Sequence, residues 1–203
     1  MTGMAFRLND DGAPATGGED DVQAWKHLLE TGAPADQQLA AAKLASLGAE
    51  GPLTECLAST NALAAQLATG SLWECWFNEQ GDAARREMEK GIRKMNQGDL
   101  EGALETFVKL VKKYPRWAEA HNKQATVLYL LGNARLSYKV CQVVVALKPN
   151  HFGAWNGLAL CAARLERWRA ALEAARKALS LQPAAQANLD LIQLAQAKLA
   201  EEG

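Results

Sequence analysis

Three prolines, Pro115, Pro149 and Pro183, stand 34 residues apart. Equal spacing of a helix breaker over that distance is the mark of a repeated supersecondary unit, and it restricts the fold more than any composition figure does. Cut at these points, the chain gives residues 84–117, 118–151 and 152–185, whose interiors align: "NQGDLEGA", "LLGNARLS" and "RLERWRAA" fall in register. Gly98, Gly132 and Glu166 occupy one place in the unit. Small residues recur where two helices must approach closely, at Gly91, Ala125 and Ala159 and again at Ala103, Ser137 and Ala171. Each unit therefore reads as a helix, a tight turn, a second helix and an exit marked by proline. The glycines suit the left-handed residue that ends a helix, and proline has no N–H with which to continue one. A helix pair of this length cannot bury its apolar stripe alone, so neighbouring pairs must stack into a continuous core.

The 34-residue period, the Gly-Asp and Gly-Asn turns, the alanine marks and the terminal proline together resemble the tetratricopeptide repeat family, over about half of the chain. The third unit carries the pattern best, with Trp155, Leu158, Ala159, Ala171, Ala175, Ala178 and Pro183. Departures occur at Glu87 and His121, where the family favours Trp, at Leu110 and Val144, where it favours Ala, and at Glu166 in place of the turn glycine. The resemblance implies an all-α fold: a right-handed α-α superhelix of three helix pairs. The segments "SLWECWFNEQGD", "EAHNKQATVLYLLGN" and "LKPNHFGAWNGLALCAARLERW" also look like a group of small repeat proteins of proteobacteria and of plant and algal organelles. That likeness points to a cytoplasmic or organellar setting, the plastid among them.

Outside the repeats, residues 1–18 read as a flexible acidic tail and residues 19–81 as an N-terminal helical cap of four short helices bounded by Gly and Pro, "DDVQAWKHLLETG", "PADQQLAAAKLASLG", "PLTECLASTNALAAQLATG", which ends at Gly70, and "SLWECWFNEQ". The last segment, 186–203, reads as a capping helix with Leu189, Ile192, Leu194 and Leu199 on its apolar face. Trp73, Trp76 and Phe77 share a face and are expected to pack on the first repeat. The whole chain is nearly neutral at net charge -1, yet residues 1–81 hold 3 basic against 11 acidic side chains and residues 82–185 hold 18 against 9. No apolar run approaches the roughly 18 residues of a membrane span. The expectation is a soluble intracellular chain. Cys56, Cys75, Cys141 and Cys161 form no CxxC pair and have no histidine at zinc-ligand spacing, so buried thiols in a reducing compartment are expected.

Nothing in the chain groups like a catalytic site. His27, His121 and His151 are far apart and lack a neighbouring nucleophile or acid at a useful spacing, and no phosphate loop or metal helix occurs. The expectation is no enzyme, no cofactor, no metal and no small-molecule substrate. His151, in "KPNHFG", is expected to pack or to cap the helix that follows.

Binding has support. The resemblance implies a concave groove lined by the first helix of each unit, and its positions fall here on Met88, Ile92, Asn96, Asn122, Thr126, Tyr129, Asn156, Leu160 and Arg164. An Asn side chain both donates and accepts, so Asn122 and Asn156, equivalent in adjacent units, can read a peptide backbone. The same groove is open to the chain's own N-terminal helices. The clamp that holds acidic chaperone tails in some members would need Lys and Asn at Met88 and Ile92, Asn at Lys123, and Lys and Arg at Gly153 and Gly157; none matches. The expected role is a protein-interaction scaffold that docks a protein segment within a larger complex or its assembly. Two alternatives stay open: a nucleic-acid-associated factor using Lys109, Lys112, Lys113 and Arg116 with the later arginines, though without a nucleic-acid motif, and a permanent structural subunit.

Overall fold

A computed structural model describes residues 19–202, and the expected tail over 1–18 lies outside them. The described residues form eleven helices and no strand. They divide between two compact units whose boundary falls between Cys75 and Trp76.

The first unit contains α1 (Glu19–Thr31), α2 (Pro34–Ser46), α3 (Glu50–Cys56) and most of α4 (Ala62–Asn78). Leu29, Leu44, Leu53, Cys56, Ala64 and Ala68 are withdrawn from water at its centre. The last carbonyls of a helix have no partner within it. Those of α1 are met by side chains: Gln37 donates to Leu29 O at 2.7 Å and Asn61 to Glu30 O at 3.0 Å. The third and fourth helices divide differently from the sequence expectation. Gly70 lies inside α4 rather than ending a helix, and the break falls at residues 57–61. Asn61 makes that break, because its Oδ1 accepts from the backbone N–H groups of Leu63 and Ala64 and so starts α4.

The second unit holds α5 (Gly81–Asn96), α6 (Leu100–Lys113), α7 (Ala118–Leu130), α8 (Ala134–Leu147), α9 (Phe152–Arg164), α10 (Trp168–Leu181) and α11 (Gln186–Glu201). They pair as α5–α6, α7–α8 and α9–α10 and stack into a right-handed superhelix that α11 closes. Within each pair the turn is the same. Asp99 N donates to Lys94 O while Gly98 N donates to Met95 O, and Asn133 with Gly132, then Arg167 with Glu166, repeat both bonds. This arrangement needs a left-handed residue in its middle. Gly98 and Gly132 take it at φ 84 and 83, and Glu166 is forced to φ 56. Asp99 and Asn133 also cap α6 and α8 through their side chains, whereas Arg167 gives α10 no such cap. The third turn thus lacks both local devices that the first two possess.

Close approach within pairs explains the small residues. A Cβ on Gly91 would meet the Phe107 ring at 2.5 Å, and Ala103, Ala125, Ala159 and Ala171 are all buried. Between pairs, Tyr114, Lys148 and Gln182 each precede a proline and each leave the helical region, with ψ of 72, 88 and 83, since a following proline disfavours the α conformation. Trp155 Nε1 then donates to Pro149 O at 2.8 Å, and His121 Nε2, one repeat earlier, reaches Pro115 O at 2.9 Å. His121 therefore performs the same bond as the tryptophan it replaces.

The last turn of α4 is tied to these junctions. Trp117, fully buried, donates its indole N–H to Trp76 O at 2.7 Å and so satisfies one of the orphan carbonyls of α4. The Trp76 ring stacks on His151 with centroids 4.1 Å apart, and Phe77 packs beside the α5–α6 core. Trp73 is half-buried within the first unit. At the other end α11 buries Asn188, Leu191 and Ala195; of the expected apolar face Ile192 packs on the core, Leu189 and Leu199 are half-buried and Leu194 is exposed.

His151→Ala should lower unfolding stability by about 3 kcal/mol, because it leaves the carboxylate of Glu119 buried with one partner fewer. The pair Glu166→Gly and Arg167→Asp should raise it by about 2 kcal/mol by relieving the left-handed residue and capping α10. Urea titration followed by helical circular dichroism reads both.

Candidate functional site

The first helices of adjacent repeats, α7 and α9, meet around a pocket of about 170 Å3. Asn122, Thr126 and Tyr129 enter from α7; Asn156 and Leu160 enter from α9. On α7 the spacing of 4 and 3 residues places the three on one face. Equivalent positions in two repeats converge because the repeats are stacked in register. Leu160 is 38% exposed and, with Thr126, forms the open part of the wall. The guanidinium of Arg164 lies 5.3 Å from the Tyr129 ring centroid, a cation–π contact that holds a positive charge at the pocket's edge.

The two amides are held by internal bonds. Asn122 Nδ2 donates to Glu119 Oε2 at 3.0 Å, and Asn156 Nδ2 donates to Asn188 Oδ1 at 2.7 Å. Each amide keeps a second N–H and a carbonyl oxygen with which to meet a ligand. Thr126 donates its hydroxyl to Asn122 O at 3.0 Å, which leaves the oxygen lone pairs as acceptors at the rim.

Glu119 lies behind Asn122 and is fully buried. Its Oε2 also accepts from His151 Nε2 at 2.9 Å. His151 Nδ1 accepts from Ala154 N at 3.1 Å and so caps α9, as the sequence suggested. Those two bonds fix the tautomer, with the ring proton on Nε2. Lys123 Nζ, 3.2 Å from Glu119 Oε1, supplies the opposite charge at an ion-pair distance but without hydrogen-bond alignment. The network joins α7 to the start of α9 and sets the spacing of Asn122 and Asn156.

Not every groove position drawn from the resemblance reaches this pocket. Met88 is fully buried among Ala84, Phe107 and Trp117, so its side chain belongs to the core and cannot meet a ligand. Ile92 is half-buried against the same core, and Asn96 stands exposed at the end of α5. The floor contains residues that sequence reasoning missed: Ser137 and Cys141 from α8, and Gly157 and Cys161 from α9. Ser137 had been marked only as a small residue at a helix crossing. Its hydroxyl donates to Ala125 O at 2.7 Å.

A second cleft, of about 560 Å3, opens at the repeat junctions. Lys113, Arg116 and Lys148 line it together with Tyr114 and Glu79, and Lys148 pairs with Glu79 at 3.2 Å. Among the described residues no three His, Cys, Asp or Glu side chains gather as a metal site requires, and no helix is long and apolar enough to cross a membrane.

Residues 88–151 match the tetratricopeptide repeat family. The match runs from within α5 to the junction before α9, and the third helix pair repeats the turn bonds of the first two. A repeat-containing protein from Rhizobium etli is 29% identical over 98 residues, and the chain spans about half the length of that relative, 48%, with 48% of itself. Among solved structures, the first repeat domain of RPAP3, bound to the HSP90 peptide SRMEEVD, superposes with a TM-score of 0.57 at 20% identity, over 58% of this chain and 93% of that one. The Sgt2 repeat domain from Aspergillus fumigatus gives 0.56 at 15% identity, over 60% and 83%. MamA gives 0.55 at 17% identity, over 82% and 84%. At these identities the likeness is one of fold.

Asn188→Ala should cost about 1 kcal/mol through loss of a neutral hydrogen bond, and Asn122→Ala about 2 kcal/mol because its partner is a buried carboxylate. Denaturant midpoints of the two variants, compared with the parent protein, measure the difference.

Proposed function

We propose that this chain is a non-catalytic scaffold whose repeat body, residues 82–185, docks a segment of another protein in the groove along α5, α7 and α9, within a larger complex or during its assembly. The observation that carries this reading is the convergence of Asn122, Thr126, Tyr129, Asn156 and Leu160 on one open pocket. A pocket of that size admits one apolar side chain, with amides beside it to hold the adjoining backbone. Repeat domains of the same fold accept peptides: the RPAP3 domain carries an HSP90 peptide, and its second domain an HSP70 peptide. The segment docked here is of another kind, since Met88, Ile92, Lys123, Gly153 and Gly157 do not form the clamp for acidic chaperone tails.

The basic cleft favours a second reading, in which Lys113, Arg116 and Lys148 meet nucleic-acid phosphates. Neutralising two to three phosphates gives a slope of log affinity against log salt of about -2.

A paired experiment decides between them. Proteins that co-purify with the chain are compared for the parent, for Thr126→Arg with Leu160→Glu in the groove, and for Val143→Glu on exposed α8 surface. Docking in the groove predicts that a partner kept by the parent and by Val143→Glu is lost from the groove variant; retention by all three overturns it. Binding to a generic single-stranded RNA over a salt series should show no affinity if the groove reading holds, and a slope of about -2 if the cleft is the site.

A further inference from the structure

The repeat body carries 18 basic against 9 acidic side chains over residues 82–185, and the surplus is not spread evenly. On α5 Lys90 is paired with Glu87, and on α6 Lys109 is paired with Glu105 at 2.7 Å. One turn past Lys109 the pairing stops. Lys113 and Arg116 form no ion pair among the described residues, and Arg116 makes no hydrogen bond among them. Both are exposed. They line the cleft of about 560 Å3 at the repeat junctions, where the end of α8 adds Leu147 and Lys148 and the segment after α4 adds Glu79 and Gln80.

Helix ends explain part of this charge, because cations at the ends of α6 and α8 complement the negative ends of those helices. Arg116 stands beyond α6 and caps no carbonyl, so helix dipoles do not explain it. The wall is unsuited to a nucleic-acid strand, which takes a row of cations with free aromatic faces between them. Tyr114 supplies the aromatic ring, and it is already engaged. The Lys113 ammonium lies over the ring, 5.2 Å from its centroid, and Trp117 meets it at 89° with centroids 5.9 Å apart. A carboxylate needs less. An ammonium and a guanidinium side by side neutralise two acidic groups, and the guanidinium fork matches both oxygens of one. Leu147, half-buried, and the exposed Pro115 ring add apolar surface beside them.

We propose that this cleft is a second docking site, for an acidic protein segment in which two neighbouring Asp or Glu side chains engage Lys113 and Arg116 while an aliphatic residue lies on Leu147 and Pro115. Glu79 opposes such a ligand: its carboxylate is 3.2 Å from the Lys148 ammonium and competes for that third charge. The cleft shares no lining residue with the pocket between α7 and α9. This site does not depend on what the groove docks.

The test is fluorescence anisotropy of a labelled LDELDE peptide titrated with the full chain at low salt. The parent protein should bind it and should not bind the neutral LNQLNQ peptide, and added salt should weaken the complex. Lys113→Glu with Arg116→Glu should lower affinity about tenfold or more, whereas the same change of charge at Arg135→Glu with Lys139→Glu on exposed α8 surface should cost less than about threefold, as should the groove pair Thr126→Arg with Leu160→Glu. Glu79→Gln should raise affinity about threefold, a gain that no loss of folding imitates. Failure of the parent protein to bind overturns the proposal, as does an α8 or groove variant that loses as much as the cleft variant, a Glu79→Gln protein that gains nothing, or a uridine oligomer that displaces the peptide.

Discussion

A carboxylate and an imidazole, both removed from water, decide where the second and third repeats meet. Glu119 begins α7 and His151 precedes α9, 32 residues later, and the bond between them spans the repeat junction. An ionised carboxylate in such a place is stable only while its hydrogen bonds and counter-charge are intact. His151, Asn122 and Lys123 provide them. Trp76 covers the imidazole face, and Trp117 locks Trp76 in turn. The groove inherits its geometry from this arrangement, because the amide that faces the pocket is the same amide that satisfies the carboxylate. Folding therefore leans on Asn122, whereas Thr126 and Leu160 are exposed at the pocket's rim.

Much of the array was legible because it rests on local rules. Proline spacing marked the junctions, Gly98 and Gly132 marked left-handed turns, and the expectation that Glu166 is strained follows from its register alone. His151 was read as a cap and is one. What failed were boundaries set by competing local signals. Gly70 looked like a helix end, yet the neighbouring buried face through Ala64, Ala68 and Leu72 carries α4 past it. Asn61 was the stronger signal, since a side chain that accepts two backbone N–H groups outweighs a missing methyl group. On α11 the expectation missed Asn188, which Asn156 draws inward, because leucine periodicity cannot reveal a polar anchor.

The candidate pocket was legible in its rim and hidden in its floor. Of the positions carried over from the repeat pattern, Asn122, Thr126, Tyr129, Asn156 and Leu160 line it, because stacking in register brings them together. The pattern misplaced Met88, which turns inward where the first repeat meets Trp117 and Phe107. The thiols escaped notice since the pattern draws the groove from first helices alone, and Cys141 arrives from a second helix through the gap at Gly157. A sulfur 20 residues away in sequence gives no periodic signal; only the crossing of α8 and α9 makes it a neighbour.

Positions 117, 151 and 185 are one place repeated, and their occupants shrink from tryptophan to histidine to alanine. The first two wedge a ring into the seam ahead of α7 and α9, while Ala185 offers α11 nothing of the kind. The seam ahead of α11 is therefore held by helix packing and by the Asn156–Asn188 bond rather than by a ring. In a stack bonded only to nearest neighbours the end helix is held from one side alone, so this one should peel from α11 inward, baring Asn156 before Asn122.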